Sequence, residues 1–332
     1  MKLLIASMLC SAAALAESSA EGSARAFIGE YRRPVEPPAG LGSPEKTELG
    51  RMLFFDPRLS ASGIVSCATC HNPALSWGDG LPRAVGHGMK NLGRRSPTIL
   101  NLAWGGPFMW DGRFETLEQQ ALGPITSPDE MNMPVGDLLK KLTAVERYRT
   151  GFAKVFPRDG LTADTIAQAI AAYERTVVSA AAPFDRWLTG AGDAISEGAK
   201  RGFVLFNTRA ACSKCHSGWR FTDDSFHDIG VKGDDLGRGG LKDFEGFAAL
   251  QHAFKTPTLR DADRRGPFLP DGSAATLEQV IELYDVGGQA RRGSLSDDLK
   301  PLKLTAREKH DLVDFLKTLA SPGETSLPVL PR

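Results

Sequence analysis

The sequence has no surplus of charge of either sign: forty Lys and Arg stand against forty Asp and Glu. Nothing is left over to neutralise a phosphate backbone, which excludes nucleic-acid binding as a main role. Long apolar runs are missing too, apart from one at the N-terminus. Lys2 begins it, Leu3 to Leu15 are mostly apolar, and Ala14-Leu15-Ala16 is a small-residue cleavage signal before Glu17. The run is too short to span a bilayer. Residues 1–16 therefore read as a cleaved signal peptide, giving an exported, periplasmic protein with no stable membrane insertion. Cysteine is scarce, with five residues, and Cys10 leaves with the leader. Methionine disappears altogether beyond Met133.

The four remaining cysteines form two copies of one pattern: Cys67-Ala68-Thr69-Cys70-His71 and Cys212-Ser213-Lys214-Cys215-His216. A thioredoxin-type redox pair explains one C-x-x-C, but not a histidine in the same place twice. A zinc site needs further ligand pairs, and there is no third C-x-x-C. C-x-x-C-H is the attachment signature of c-type haem. The thiols of Cys67, Cys70, Cys212 and Cys215 add to haem vinyl groups, and His71 and His216 reach the irons. The reading is two covalently bound haem c groups.

Helical signals dominate the rest. Ser43-Pro44-Glu45 opens a helix with a cap, a proline and an early acid. Thr162 precedes Ile166, Ile170, Tyr173 and Val177, which share one helical face. Ser196-Glu197 opens another helix, and Thr305 with Glu308 forms a capping box before the stripe Leu312, Phe315, Leu316 and Leu319. Gly (35 residues) and Pro (21) supply long loops. There is also an internal repeat. Pro107-Phe108-Met109-Trp110-Asp111-Gly112, then Thr116-Leu117-Glu118-Gln119, recurs 160 residues later as Pro267-Phe268-Leu269-Pro270-Asp271-Gly272, then Thr276-Leu277-Glu278-Gln279. Pro97-Thr98 and Pro257-Thr258 keep the same offset. The predicted fold is mainly α, with two duplicated cytochrome c-like haem domains carrying long loops. The N-terminal domain spans 17–185 and the C-terminal domain 186–332, joined near Pro183 and Gly190-Ala191-Gly192.

The repeat allows the second axial positions to be compared. No methionine follows the second motif, so its candidates are His227, His252, His310 and Tyr284, with His310 on a polar helix face. Tyr284 lies five residues past Gln279, and the same step from Gln119 lands on Pro124. A phenolate would stabilise ferric and higher states, and a core tyrosine would look the same in sequence. Near the first haem, Glu130 can shuttle a proton between peroxide oxygens while the Gln120 amide orients them. As a bland alternative, Glu130 is a solvated loop acid. Trp110 replaces Pro270 of the second copy and reads as a relay for electron holes or as a packing aromatic. His87, between Gly86 and Gly88, sits on a mobile loop from which it can bind or leave the first iron.

These residues resemble the bacterial di-haem cytochrome c peroxidases and their MauG-like relatives from about Glu45 to Leu319. The motifs are Phe54-Phe55-Asp56-Pro57-Arg58-Leu59-Ser60, both C-x-x-C-H sites, Gly86-His87-Gly88, Trp110-Asp111-Gly112-Arg113, Gln120 through Glu130, and Phe226-His227-Asp228-Ile229-Gly230. The resemblance implies that His71 serves the peroxidatic haem and His216 the electron-donating haem. It implies that Trp110 lies between them, that Gln120 and Glu130 handle peroxide, and that His87 is a displaceable ligand. Tyr284 falls where peroxidases carry methionine and MauG-like proteins carry tyrosine. The implied activity is reduction of hydrogen peroxide with electrons from a small cytochrome c or copper protein. The alternative is MauG-like oxidation of residues in a partner protein substrate. Family peroxidases often form homodimers. The family also binds calcium between its domains, partly through an asparagine; Arg95 occupies that place here, which puts calcium in question.

Overall fold

The computed structural model describes residues 22–36, 40–323 and 327–331, so the leader read over 1–16 lies outside the described residues. The principal helices in chain order are α1 (Pro44–Phe55), α2 (Cys67–Cys70), α3 (Leu117–Thr126), α4 (Val135–Thr143), α5 (Glu146–Val155), α6 (Ala163–Glu174), α7 (Pro183–Leu188), α8 (Glu197–Asn207), α9 (Leu277–Asp285) and α10 (Ala306–Lys317). One two-stranded antiparallel pair, β1 (Phe226–His227) and β2 (Phe254–Lys255), is the named sheet among the described residues. Among the described residues, no helix is long and apolar enough to cross a membrane.

The caps form where the sequence puts them. Ser43 accepts from the Lys46 amide at 3.2 Å, and Thr305 and Glu308 close a reciprocal capping box. In each half a first helix crosses a last helix at a glycine. A Cβ on Gly50 of α1 would lie 1.8 Å from the Ala169 carbonyl oxygen of α6. A Cβ on Gly202 of α8 would lie 1.9 Å from the Asp311 carbonyl oxygen of α10. Only a residue without a side chain lets the backbones approach this closely.

The repeat recurs at the level of the backbone. Phe108 N–H donates to Phe114 O at 2.7 Å, and Phe268 N–H to Ala274 O at 2.6 Å. Met109 and Leu269 share φ values of 73° and 71°, and Gly112 and Gly272 share 68° and 69°. The two motifs are 145 residues apart while the repeats are 160 apart, so the second copy's intervening loop is longer by the difference of 15. That loop carries β1 and β2.

Two cores result. Leu49, Leu53, Phe54, Ile166 and Ile170 belong to the first, and Phe184, Phe203, Phe221 and Phe315 to the second. The division differs from the boundary at 185/186. That boundary falls inside α7, whose Phe184, Trp187 and Leu188 all enter the second core. The N-terminal arm does too: Ala24 and Tyr31 are buried there, Tyr31 stacks on Phe221 at 4.8 Å, and its hydroxyl donates to Asn207 at 2.6 Å. Apolar burial in the second core's aromatic cluster holds the arm there.

Candidate functional site

A cavity of about 610 Å³ runs between the halves and reaches both motifs. Cys67, Cys70, Cys212 and Cys215 all line it, and none is in a disulfide. His71 Nδ1 lies 3.3 Å from the Trp77 carbonyl, and His216 Nδ1 lies 2.9 Å from that of Phe221. Burial lowers both imidazole pKa values, which keeps the rings neutral. With Nδ1 on a carbonyl, each ring keeps Nε2 for a metal. Two thiols and an oriented neutral imidazole at each end of one apolar cavity fit a haem at each motif.

On the first side, α3 supplies Gln120 and Pro124 to the wall. Gln120 Nε2 donates to Met109 Sδ at 3.7 Å. The chain after α3 folds back on it: Met131 N–H donates to Pro124 O at 3.1 Å and Met133 N–H to Ile125 O at 2.8 Å. This return holds Glu130, half-buried, on the same wall as Gln120. An amide and a carboxylate so placed can orient a small polar molecule and move its proton.

His87 is not brought to the wall. Gly86 lines the cavity instead, pressed so close to Asp129 that a Cβ would lie 2.0 Å from its carbonyl oxygen. The His87 amide donates to the same carbonyl at 3.0 Å, and its Nδ1 is buried without a partner. The hairpin is stitched to the Glu130 loop rather than free beside the first motif.

On the second side, Tyr284 of α9 lines the cavity at the position matching Pro124 of α3. Burial, with Cys212 and Cys215 beside it, holds its phenol above the ordinary range. The three histidine candidates fare worse. His227 also lines the cavity, but its Nε2 is engaged 2.8 Å from Asp223, and that hydrogen bond, with Cys215 beside the ring, raises the imidazole above its ordinary range. His252 is half-buried but does not line the cavity, with Nδ1 2.9 Å from Asp235 O, and His310 is exposed on α10.

Trp110 is buried between the halves. Its Nε1 donates to Arg95 O at 2.9 Å, and its carbonyl accepts from Lys255 of β2 at 2.8 Å. Arg95 in turn donates its amide to Pro270, the repeat mate of Trp110, at 2.9 Å. The Arg95 guanidinium, 5% exposed, donates to Arg265 O at 2.7 Å. A calcium site needs oxygen ligands, and here a buried cation stands in place of one. The residues do not fit calcium.

Sequence reasoning missed two features. Glu174 of α6 is buried on the cavity wall, its carboxyl pushed up to about 8 by burial. Arg265 is buried beside Arg95. Neither sits in a recognisable motif, and burial alone makes them unusual.

The pattern of di-haem cytochrome c peroxidase matches residues 44–193. The methylamine utilization protein MauG of Methylorubrum extorquens is 51% identical over 329 residues, covering 97% of this chain and 93% of that protein. The chain belongs to the di-haem cytochrome c peroxidase family. Cytochrome c551 peroxidase of Nitrosomonas europaea is 36% identical, covering 93% of this chain and 90% of that protein. A crystal structure of a MauG-like protein associated with microbial copper homeostasis superposes with a TM-score of 0.78 at 32% identity, covering 87% of this chain and 92% of that one. The protein is thus a peroxidase-type oxidoreductase with haem as cofactor, on a mainly helical fold shared with that family.

Proposed function

We propose that this di-haem peroxidase family member is a MauG-like enzyme, exported to the periplasm, that reacts with hydrogen peroxide and passes the oxidising equivalents to residues of a partner protein. Cys67 and Cys70 hold one haem covalently and Cys212 and Cys215 the other. His71 and His216, each with Nδ1 on a main-chain carbonyl, would offer Nε2 to the irons. When bound, the irons supply peroxide binding and redox chemistry. Gln120 orients the peroxide, and Glu130 takes a proton from one oxygen and returns it to the other. Trp110, tied to both halves, carries oxidising equivalents between them.

One observation supports the MauG-like reading: Tyr284 lines the cavity on the second side, and no methionine follows that motif in the sequence. A phenolate disfavours reduction of the iron it binds, so Tyr284 suits storage of oxidising equivalents better than entry of electrons from a donor. The peroxidase reading, with a small cytochrome c or copper protein as donor, draws support from the His87 hairpin, whose buried Nδ1 lacks a partner.

Tyr284→Phe in the di-haem protein should convert the second haem to a high-spin or newly ligated form, seen in absorption and magnetic spectra. The parent should react with peroxide without prior half-reduction. Unchanged spectra in the variant, or a strict need for half-reduction in the parent, would favour the peroxidase reading.

A further inference from the structure

Of the three buried arginines among the described residues, Arg260 has a carboxylate partner, as does the half-buried Arg94. Arg260 meets Asp185 at 2.8 Å, and Arg94 meets Asp111 at 2.6 Å and Asp235 at 2.7 Å. Arg95 and Arg265 are the exceptions. They are 5% and 7% exposed, and no carboxylate of the described residues forms an ion pair with either. Their hydrogen bonds reach only main-chain carbonyls: Arg95 Nη2 to Arg265 O at 2.7 Å, and Arg265 Nη2 to Thr258 O at 2.6 Å and Arg260 O at 2.9 Å. The Nε of each is buried without a partner. The two guanidiniums also disfavour one another: burial, then the charge of Arg95, pushes Arg265 down to about 9. Burying one unpaired charge costs several kcal/mol, so two adjacent ones call for an anion.

Both side chains line the cavity that reaches the two haem motifs. One comes from each repeat-bearing half. Haem c is bonded to its cysteines along one edge and carries two carboxylates, its propionates, on the edge opposite. Guanidinium is the side chain best matched to a carboxylate, through paired parallel N–H donors.

We propose that Arg95 and Arg265 form an interdomain anion site that binds haem propionate carboxylates, taking the place of an interdomain metal ion. The proposal rests on haem occupying both motifs. Arg95 would then do two jobs at once. Its carbonyl fixes the Trp110 indole, and its side chain neutralises a haem carboxylate. Positive charge beside a propionate favours the reduced, more negative haem, so the pair raises a haem potential.

The test uses the purified di-haem protein with Arg95→Gln, Arg265→Gln and the conservative Arg95→Lys. A haem count comes first; fewer than two haems in the parent would sink the haem reading itself, not the anion site. Redox titration should then show a lower midpoint potential for at least one haem in each Gln variant, with partial recovery in Arg95→Lys. Resonance Raman spectra should show a shifted propionate bending mode in all three. If a Gln variant fails to fold, the Raman shift of Arg95→Lys decides alone. Unchanged potentials and unchanged propionate modes would overturn the proposal. So would a parent potential that follows added phosphate or acetate, since a free anion would then hold the site. A parent potential that responds to calcium or to a chelator would restore the metal site and overturn it as well.

Discussion

A carboxyl group's surroundings decide whether it can carry a proton, and this protein places two carboxyls in contrasting settings. Glu130 is half-buried on the wall that also carries Gln120. Glu130→Gln should keep both haems and slow peroxide cleavage by about two to four orders of magnitude, the range for a positioned acid–base group. Stopped-flow mixing with peroxide measures it, and a parental rate would reduce Glu130 to a loop acid. Glu174 is fully buried and pushed from an ordinary 4.5 up to about 8. Between those values the unfolded chain releases its proton and the folded protein keeps it, so stability falls as pH rises through that window. Glu174→Gln should flatten this slope in thermal unfolding at pH 5 and pH 8; retention of the parental slope would show that other groups set it. The two C-x-x-C-H segments were legible in sequence because their chemistry is written in contiguous motifs, and the structure brings both, with Glu130, to one cavity. Glu174 and Arg265 were not, and neither was the burial of Arg95, since segments far away in the chain cover all three. His87 shows the converse: its Gly-His-Gly context reads as a mobile ligand loop, yet the Asp129 carbonyl claims that backbone.

Helices here are started by local signals and joined by non-local ones. The caps at Ser43, Thr162, Ser196 and Thr305 form as their sequences suggest. The crossings at Gly50 and Gly202 could not be read, because a helical glycine gains meaning only once its partner helix is known. Replacing glycine by alanine in an isolated helix would help by about 1 kcal/mol. Against a backbone oxygen 1.9 Å from the added Cβ, the clash wins. Gly202→Ala should destabilise the protein by about 1–3 kcal/mol or more, measured by urea unfolding of the haem-loaded protein. A variant more stable than its parent would mean that α8 and α10 can separate without cost. The position shared by Pro124 and Tyr284 belongs to this scale as well. Two helices with the same Thr cap and the same Leu-Glu-Gln start present different residues to the cavity one turn later.

At the scale of the whole chain, two motifs at the ends of one cavity predict two haems per molecule. A pyridine haemochrome assay should return two, and both should stay with the polypeptide after denaturation; a count of one would remove the duplicated design. Duplication itself was legible from the 160-residue offset, since the repeated turns are local. The arm's allegiance was not. Tyr31 lies in sequence beside the first domain, yet its ring finds Phe221, Phe184 and Phe203 of the second. Only the assembled aromatic cluster explains that choice.

Gly112 and Gly272, the matching turn glycines, carry a history. A Cβ on Gly112 would strike the ring of Phe226 in the second half, and one on Gly272 would strike the backbone of Pro82 in the first. Phe226 lies ten residues beyond His216, and Pro82 lies eleven beyond His71. Each half thus presses the same turn into nearly the same place on the other. Such reciprocity is what a two-fold axis imposes on an isologous dimer, where patch i meets patch j and j meets i. The contact has the form expected of an ancestral pair of identical one-haem subunits, later fused head to tail through the segment at 177–182. Fusion frees the two copies to diverge, which is how one half can keep a proline where the other keeps a phenol.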